Sequence, residues 1–290
     1  MSPVSLTPEQ SAAILDRQGH EPCPGVEIEF KRALGAVPGG PELHATIFRP
    51  ATRPIAPAPA LLAYHGGGFQ GGNPDGCGAI AKHLALTLGF TTVSASYRLA
   101  TAETSTFPGI LHDALHAWRW VQSHATELHI DPRRVAVSGE SAGVLPAAHL
   151  AVASPFIAYA EGELRPAALI AQWGCMDYIA RWFDRNENTM AERALLGAGY
   201  ETHPQLYHQA SPVAYANGPL APALFLLGRQ DTVVHPRQGR IGHAAWQAAG
   251  AHSELQVIPN VGHCTEGDNR AQRAGYLATI TGFMAARLPL

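Results

Sequence analysis

Charge of either sign is scarce in this chain. Its 290 residues include 20 Lys and Arg against 23 Asp and Glu, a charged fraction of 15% with a formal net charge of −3. No basic block is present, so nothing supplies the phosphate-neutralising stripe that nucleic-acid binding needs, and no nucleic-acid partner is expected. Apolar runs are also short. None approaches the ~20 residues that cross a bilayer, so no membrane span is expected. Met1 to Gln18 lacks the basic start and apolar centre of a secretory leader, and the expected location is cytoplasmic. Cysteine is sparse too: four residues, at 23, 77, 175 and 264, without close pairs. That spacing fits neither a zinc pattern nor a disulfide framework, and free thiols are the plain reading. Histidine, by contrast, is abundant at 15 residues. No His/Cys cluster with metal-ligand spacing is read among them, so no metal and no organic cofactor are expected.

The most informative stretch is Gly139-Glu140-Ser141-Ala142-Gly143. It follows the β-like run Arg134-Val135-Ala136-Val137-Ser138 and precedes an alanine-rich helical run, Ala147 to Ala153. Strand, G-x-S-x-G, helix is the setting of a nucleophile elbow, in which the serine hydroxyl stands exposed on a sharp turn. Glycine at 139 and 143 removes the side chains that would collide with the neighbouring strand or helix. Upstream, the apolar strand Ala60 to Tyr64 ends in His65-Gly66-Gly67-Gly68-Phe69. Three successive glycines let backbone N–H groups turn toward a ligand, as an oxyanion hole requires. Gly66, Gly67, Gly68 and Ala142 are its candidate donors. His65 is expected to hold that loop through a backbone hydrogen bond rather than to react.

Downstream, Ala223 to Leu227 leads through Gly228-Arg229-Gln230 to Asp231, and Leu255 to Ile258 leads through Pro259-Asn260-Val261-Gly262 to His263. Both fall just past strand-like runs. The rival acids are Asp177 and Glu266; the rival histidines are His235, His243 and His252. None of these histidines follows a strand by a glycine-containing turn. Cys264 has no elbow around it and is not expected to act as a catalytic thiol.

These motifs, in this order, resemble the α/β-hydrolase esterases, specifically the hormone-sensitive-lipase-like and acetyl- and feruloyl-esterase-like group. The resemblance runs from about residue 26 to the C-terminus. It rests on the HGGG segment, the G-x-S-A-G elbow, and Asp and His on late loops. It departs at Glu140 and Val144, where that group often has Asp and Gly. The resemblance implies an α/β-hydrolase fold, a mostly parallel central sheet flanked by helices, and a catalytic set of Ser141, Asp231 and His263. The implied reaction is hydrolysis of small or short-acyl carboxylic esters through an acyl-enzyme, with a small-molecule ester as partner. An amidase, formamidase or peptidase-like hydrolase remains the alternative, and a non-catalytic binding protein of the same fold the third reading.

The organisation agrees with that fold class. Apolar content of 46% is ordinary for a globular α/β protein, and one domain over residues 1–290 is expected. Residues 1–22 read as an arm with a short helix. Val26 to Leu34 and Leu43 to Arg49 read as a hairpin joined at Pro38-Gly39-Gly40-Pro41. A helix is expected around 77–88, a strand from Thr91 to Tyr97, and another from Ala168 to Trp173. From Pro108 to Leu128 an apolar stripe through Ile110, Leu111, Ala114, Leu115, Trp118, Val121 and Ala125 predicts one helix. Asp113 on it is expected to be solvated or capping. Residues 176–217 break the β/α rhythm and are expected to form a small cap-like insertion or a helix pair at the sheet edge. Substrate contacts are expected from Phe69, Glu140, Trp173 and Met176. The sequence leaves monomer and homodimer open.

Overall fold

Short apolar runs form strands that are covered on both faces, as a parallel sheet under helices demands. The computed structural model describes residues 21–184, 190–265 and 270–289. Strands β3 (Ala58–Tyr64), β4 (Thr91–Ala95), β6 (Leu169–Gln172) and β7 (Ala223–Gly228) are buried at every residue. Strand β5 (Ile130–Glu140) is buried from Val135 to Gly139. Strand β8 (Ser253–Ile258) is half-buried, as befits an edge. β1 (Val26–Ala36) and β2 (Glu42–Pro50) are the hairpin, with register shifts along β1 that break up the other edge. The sheet order is β1-β2-β4-β3-β5-β6-β7-β8. β2 runs antiparallel to β1 and β4, and every other pairing is parallel.

Alternation along the strands divides the core. Leu62, Tyr64 and Val137 face one side, where they join Ile110, Trp118, Leu145 and Leu150. Those residues come from helices α2 (Gly109–Ser123) and α3 (Val144–Val152). Leu61, Ala63, Ala136 and Ile170 face the other side and meet Ile80, Leu84, Leu277 and Ile280. These belong to α1 (Gly78–Leu88) and the C-terminal helix α8 (Arg270–Arg287). A further helix, α7 (Arg237–Ala248), packs its Trp246 on Phe225 of β7.

Two expectations need correction. The helix expected to run from Pro108 to Leu128 stops at Ser123, and Ala125–Leu128 is a separate turn. His124 is the C-cap: its backbone N–H makes the last helical bond, to the Trp120 carbonyl at 3.0 Å, and its ring meets the same carbonyl at 2.8 Å. Asp113 is not solvated. Its side chain is fully buried and accepts three bonds from Arg98, from Nε and the backbone N at 2.8 Å and from Nη2 at 2.6 Å.

The stretch 176–217 carries α4 (Tyr178–Asp184), α5 (Met190–Leu196), α6 (Pro204–Ala210) and a 3-10 turn at Pro212–Tyr215. Asp177 caps α4: its Oδ1 accepts the N–H groups of Ile179 and Ala180, both at 3.0 Å. Nearly all of the expected N-terminal arm, and the rival acid Glu266, lie outside the described residues. Among the described residues no helix is long and apolar enough to cross a membrane.

Candidate active site

The central strand β5 delivers Ser141 at the carboxyl edge of the sheet. Ser141 has φ 53°, in the left-handed region, and opens a 3-10 turn through Gly143 that runs into α3. The turn is tight enough that a Cβ on Gly139 would strike the Gly143 carbonyl, and one on Gly143 would strike the Tyr64 carbonyl. The two flanking glycines are therefore required by the close approach of β3, β5 and α3.

Asp231 follows β7, and His263 follows the adjacent β8. Asp231 is 5% exposed. Its Oδ1 accepts the backbone N–H groups of Val233 and Val234, both at 2.8 Å. Its Oδ2 stands 2.7 Å from His263 Nδ1. With a carboxylate there, Nδ1 carries the proton and donates it. That leaves Nε2 as acceptor, and Ser141 Oγ lies 2.9 Å from it, with its hydroxyl placed to donate. The three side chains thus form one continuous hydrogen-bonded chain.

The glycine loop packs directly on the elbow. A Cβ on Gly66 would lie 3.3 Å from both the Glu140 carbonyl oxygen and the Ser141 Cβ. Gly67 (φ 130°) and Gly68 (φ 59°) use backbone angles that glycine adopts readily. The Gly67 carbonyl accepts the N–H groups of Gln70 and Gly71 at 3.1 and 3.0 Å, which closes the loop. His65 Nδ1 bonds the Gly66 carbonyl at 2.7 Å, and Tyr97 stacks on its ring while its hydroxyl donates to the His65 carbonyl. Burial holds the His65 pKa below the ordinary imidazole value, so the ring is neutral and serves as a fixed donor.

A cleft of about 370 Å³ opens over Ser141, Ala142 and His263. Gly67, Gly68, Phe69 and Gln70 form one wall, and Tyr178, Arg181, Met190 and Ala191 of the 176–217 stretch form another. A larger depression of about 460 Å³, by Gly25, Pro54, Leu86 and Arg134, contains none of the residues that carry chemistry.

Of the expected substrate contacts, only Phe69 lines the cleft. Trp173 is 3% exposed, has φ 42°, and packs edge-on against Tyr276 at 5.6 Å. Gly174 follows so close to Val144 that no Cβ fits, and the chain returns to the cleft at Cys175. Met176 is fully buried in the core beside Gly242 and Phe225. Glu140 is also absent from the lining. Protein packed around its carboxyl raises its pKa, against the opposing pull of Cys264, Trp173 and His263. Sequence reasoning did not single out Arg181, Val233 or Gln238. The last of these takes the Met176 and Asp177 N–H groups on Oε1 at 3.0 and 2.9 Å.

The rival groups are engaged elsewhere. His243 bonds Ser253, His252 bonds Glu254, and His235 accepts from the Arg237 backbone. His112 and His116 do stand four residues apart on α2 beside Asp113, a spacing that zinc sites use. The His116 Nε2 bonds the Leu34 carbonyl and Asp113 is held by Arg98. Among the described residues no cluster of His, Cys, Asp or Glu is arranged to hold a metal. The four cysteines are free thiols; only Cys264 has appreciable exposure.

The chain matches the BD-FAE family over residues 46–245. It is 34% identical over 136 residues to the ethyl acetate hydrolase of Pseudomonas putida, covering 47% of this chain and 41% of that protein. It is 28% identical to esterase LipQ of Mycobacterium tuberculosis, over 78% of this chain and 55% of the relative. The chain therefore spans about half or less of these relatives' lengths. A bacterial heroin esterase shares the fold at a TM-score of 0.79, with 24% identity and coverage of 97% of this chain and 89% of the other. The esterase of Pyrobaculum calidifontis does so at 0.75, with 23% identity over 96% and 88% of the two chains. Eight strands in one mostly parallel sheet under helices, and a family match that takes in the glycine loop, the elbow and Asp231, place this protein in the BD-FAE family with the α/β-hydrolase fold.

Proposed function

We propose that the protein is a carboxylic ester hydrolase that works through Ser141, His263 and Asp231 and an acyl-enzyme. The observation that carries this reading is the unbroken hydrogen-bond chain from Asp231 through His263 to Ser141 Oγ, opening on the cleft. A serine hydroxyl is a weak nucleophile until a base takes its proton. His263 Nε2 receives that proton as Oγ attacks the ester carbonyl. Asp231 stabilises the imidazolium and keeps Nδ1–H pointing at itself. Negative charge then develops on the carbonyl oxygen. The N–H groups of Gly67, Gly68 and Ala142 on the cleft wall meet it, with Gly66 bracing the loop against the elbow; one such donor is worth about 3 kcal/mol. The imidazolium returns its proton to the departing alcohol, and water repeats the sequence on the acyl-enzyme. The names of the relatives, an ethyl acetate hydrolase and esterases, support ester rather than amide substrates.

A cleft of about 370 Å³ sits at the small end of ligand sites, which run from about 300 to 1,000 Å³. It favours short acyl chains. The test is turnover of p-nitrophenyl acetate, butyrate and decanoate by the wild type and by Ser141→Ala. Acetate or butyrate is expected to be fastest, and the variant to lose at least about a thousandfold while its circular dichroism is unchanged. Undiminished turnover by the variant removes the nucleophile assignment; decanoate as best substrate removes the short-acyl one.

A further inference from the structure

Arg181 and Glu192 form an ion pair buried almost completely between α4 and α5, with side chains 6% and 0% exposed. Taking two charges out of water costs several kcal/mol, and two apolar side chains of similar size often serve packing equally well. The pair therefore calls for a reason beyond packing, and the other end of the guanidinium supplies it. Arg181 Nη1 donates to the Val233 carbonyl at 3.2 Å. That carbonyl and the Val234 N–H belong to the same planar peptide unit. The Val234 N–H donates to Asp231 Oδ1 at 2.8 Å, and so does the Val233 N–H. One rigid plane is thus gripped by Arg181 at its oxygen and by Asp231 at its hydrogen. Bonds in series polarise one another, so a cation on the oxygen also strengthens the N–H as a donor.

We propose that Arg181, clamped by Glu192, is a positioning residue: through the Val233–Val234 peptide it fixes the Asp231 carboxylate that orients His263. The inference rests on the catalytic reading above. It makes the 176–217 stretch a support for the catalytic acid as well as a wall of the cleft. Removal of the pair should not detach α4, because that helix has other fastenings to the segment after Asp231. Gln238 holds the Met176 and Asp177 backbone, and Arg237 Nη2 donates to the Ala180 carbonyl at 2.8 Å.

The test is the double replacement R181M/E192M, which keeps bulk and removes both charges together. Its melting temperature is expected to equal or exceed that of the wild type. Its kcat on p-nitrophenyl acetate is expected to fall about tenfold or more, with KM changed less than about threefold, since small misplacements of catalytic groups cost rate rather than binding. In an Asp231→Asn background the same double replacement should lower kcat by less than about twofold, because residues acting as one unit are not additive. Arg181→Lys, with Glu192 intact, should recover part of the lost kcat. Wild-type kcat in R181M/E192M, a change confined to KM, or a full loss repeated in the Asp231→Asn background would each overturn the proposal. Failure of the catalytic reading is distinguishable: it shows as activity surviving Ser141→Ala or Asp231→Asn, whatever the Arg181 variants do.

Discussion

Around the cleft, residues with side chains adopt backbone angles that ordinarily belong to glycine. Phe69 (φ 66°), Ser141 (φ 53°) and Cys264 (φ 49°) all line it. Each such angle costs roughly 1–2 kcal/mol in isolation. They persist because neighbouring packing fixes them, and at Ser141 the neighbours are glycines with no spare room. Gly143→Ala should therefore destabilise the fold by about 3 kcal/mol or more, through overpacking against the Tyr64 and His65 carbonyls, and abolish the proposed ester turnover. Gly68→Ala makes the contrast: open space surrounds its Cβ, so only the backbone angle resists, at about 1–2 kcal/mol. Urea titrations of the two variants compare these directly, and equal losses would show that space is not the deciding factor. The same physics explains which site residues can be read from the chain. Ser141, Asp231 and His263 each stand just past the carboxyl end of a strand with a glycine close before them (Gly139, Gly228 and Gly262), so local sequence marks their place at one edge of the sheet. Trp173 and Met176 also follow a strand, but the direction of their side chains is set by Val144 pressing on Gly174 and by Gly242 making room on α7. Those are contacts between distant segments, and no local pattern announces them.

Among the elements, the buried strands were legible from short apolar runs such as Ala60 to Tyr64 and Ala223 to Leu227, and in β4 from β-branched Thr91, Thr92 and Val93. Helix ends were less so. The break at His124 falls inside one continuous apolar stripe, so the periodicity that marks the helix does not mark its end. The Arg98–Asp113 pair was invisible for a related reason: an acid on a helix is ordinarily solvated, and its burial follows from the path of the chain after β4. That path matters for the site. Two residues past Arg98, the Ala100 N–H donates to the Phe69 carbonyl at 2.7 Å, on the glycine-loop side of the cleft. Asp113→Ala leaves a guanidinium without its partner and the Arg98 backbone N–H without an acceptor. Arg98 keeps a quarter of its side chain in solvent, so the lost charge-assisted bonds are expected to lower stability by about 2–3 kcal/mol in chemical denaturation. A loss below about 1 kcal/mol would mean that water replaces the carboxylate without penalty.

Across the whole molecule, two buried histidines join helices on opposite faces of the sheet. His83 on α1 bonds Thr281 of α8 at 2.7 Å. His149 on α3 lies between Ser154 Oγ at 2.8 Å and the Ala210 carbonyl of α6 at 3.1 Å. Burial lowers both pKa values from 6.5 to about 4, so both rings are neutral in the folded protein at neutral pH. In the unfolded chain each takes up a proton as pH falls through 6.5, while the folded protein does not until about pH 4. The unfolded state then binds more protons, and stability declines as pH drops across that window. Each histidine contributes on the order of 3 kcal/mol to the decline, a large share of the roughly 5–15 kcal/mol that holds a domain folded. Glu140 opposes it: burial raises its pKa, so the folded state keeps a proton that the unfolded chain releases. Glu29 and Glu163, held below the usual carboxylate range, lose their contributions only below 4.5. His83 and His149, joined by His65 whose pKa burial also lowers, outweigh the one carboxyl, and urea midpoints are expected to fall from pH 7 to pH 4.5. In His83→Gln, whose amide still reaches Thr281, the same series should fall less steeply, by about the 3 kcal/mol that His83 supplies. A wild-type midpoint that is flat over that range would mean the folded protein takes up protons on these imidazoles over the same range as the unfolded chain.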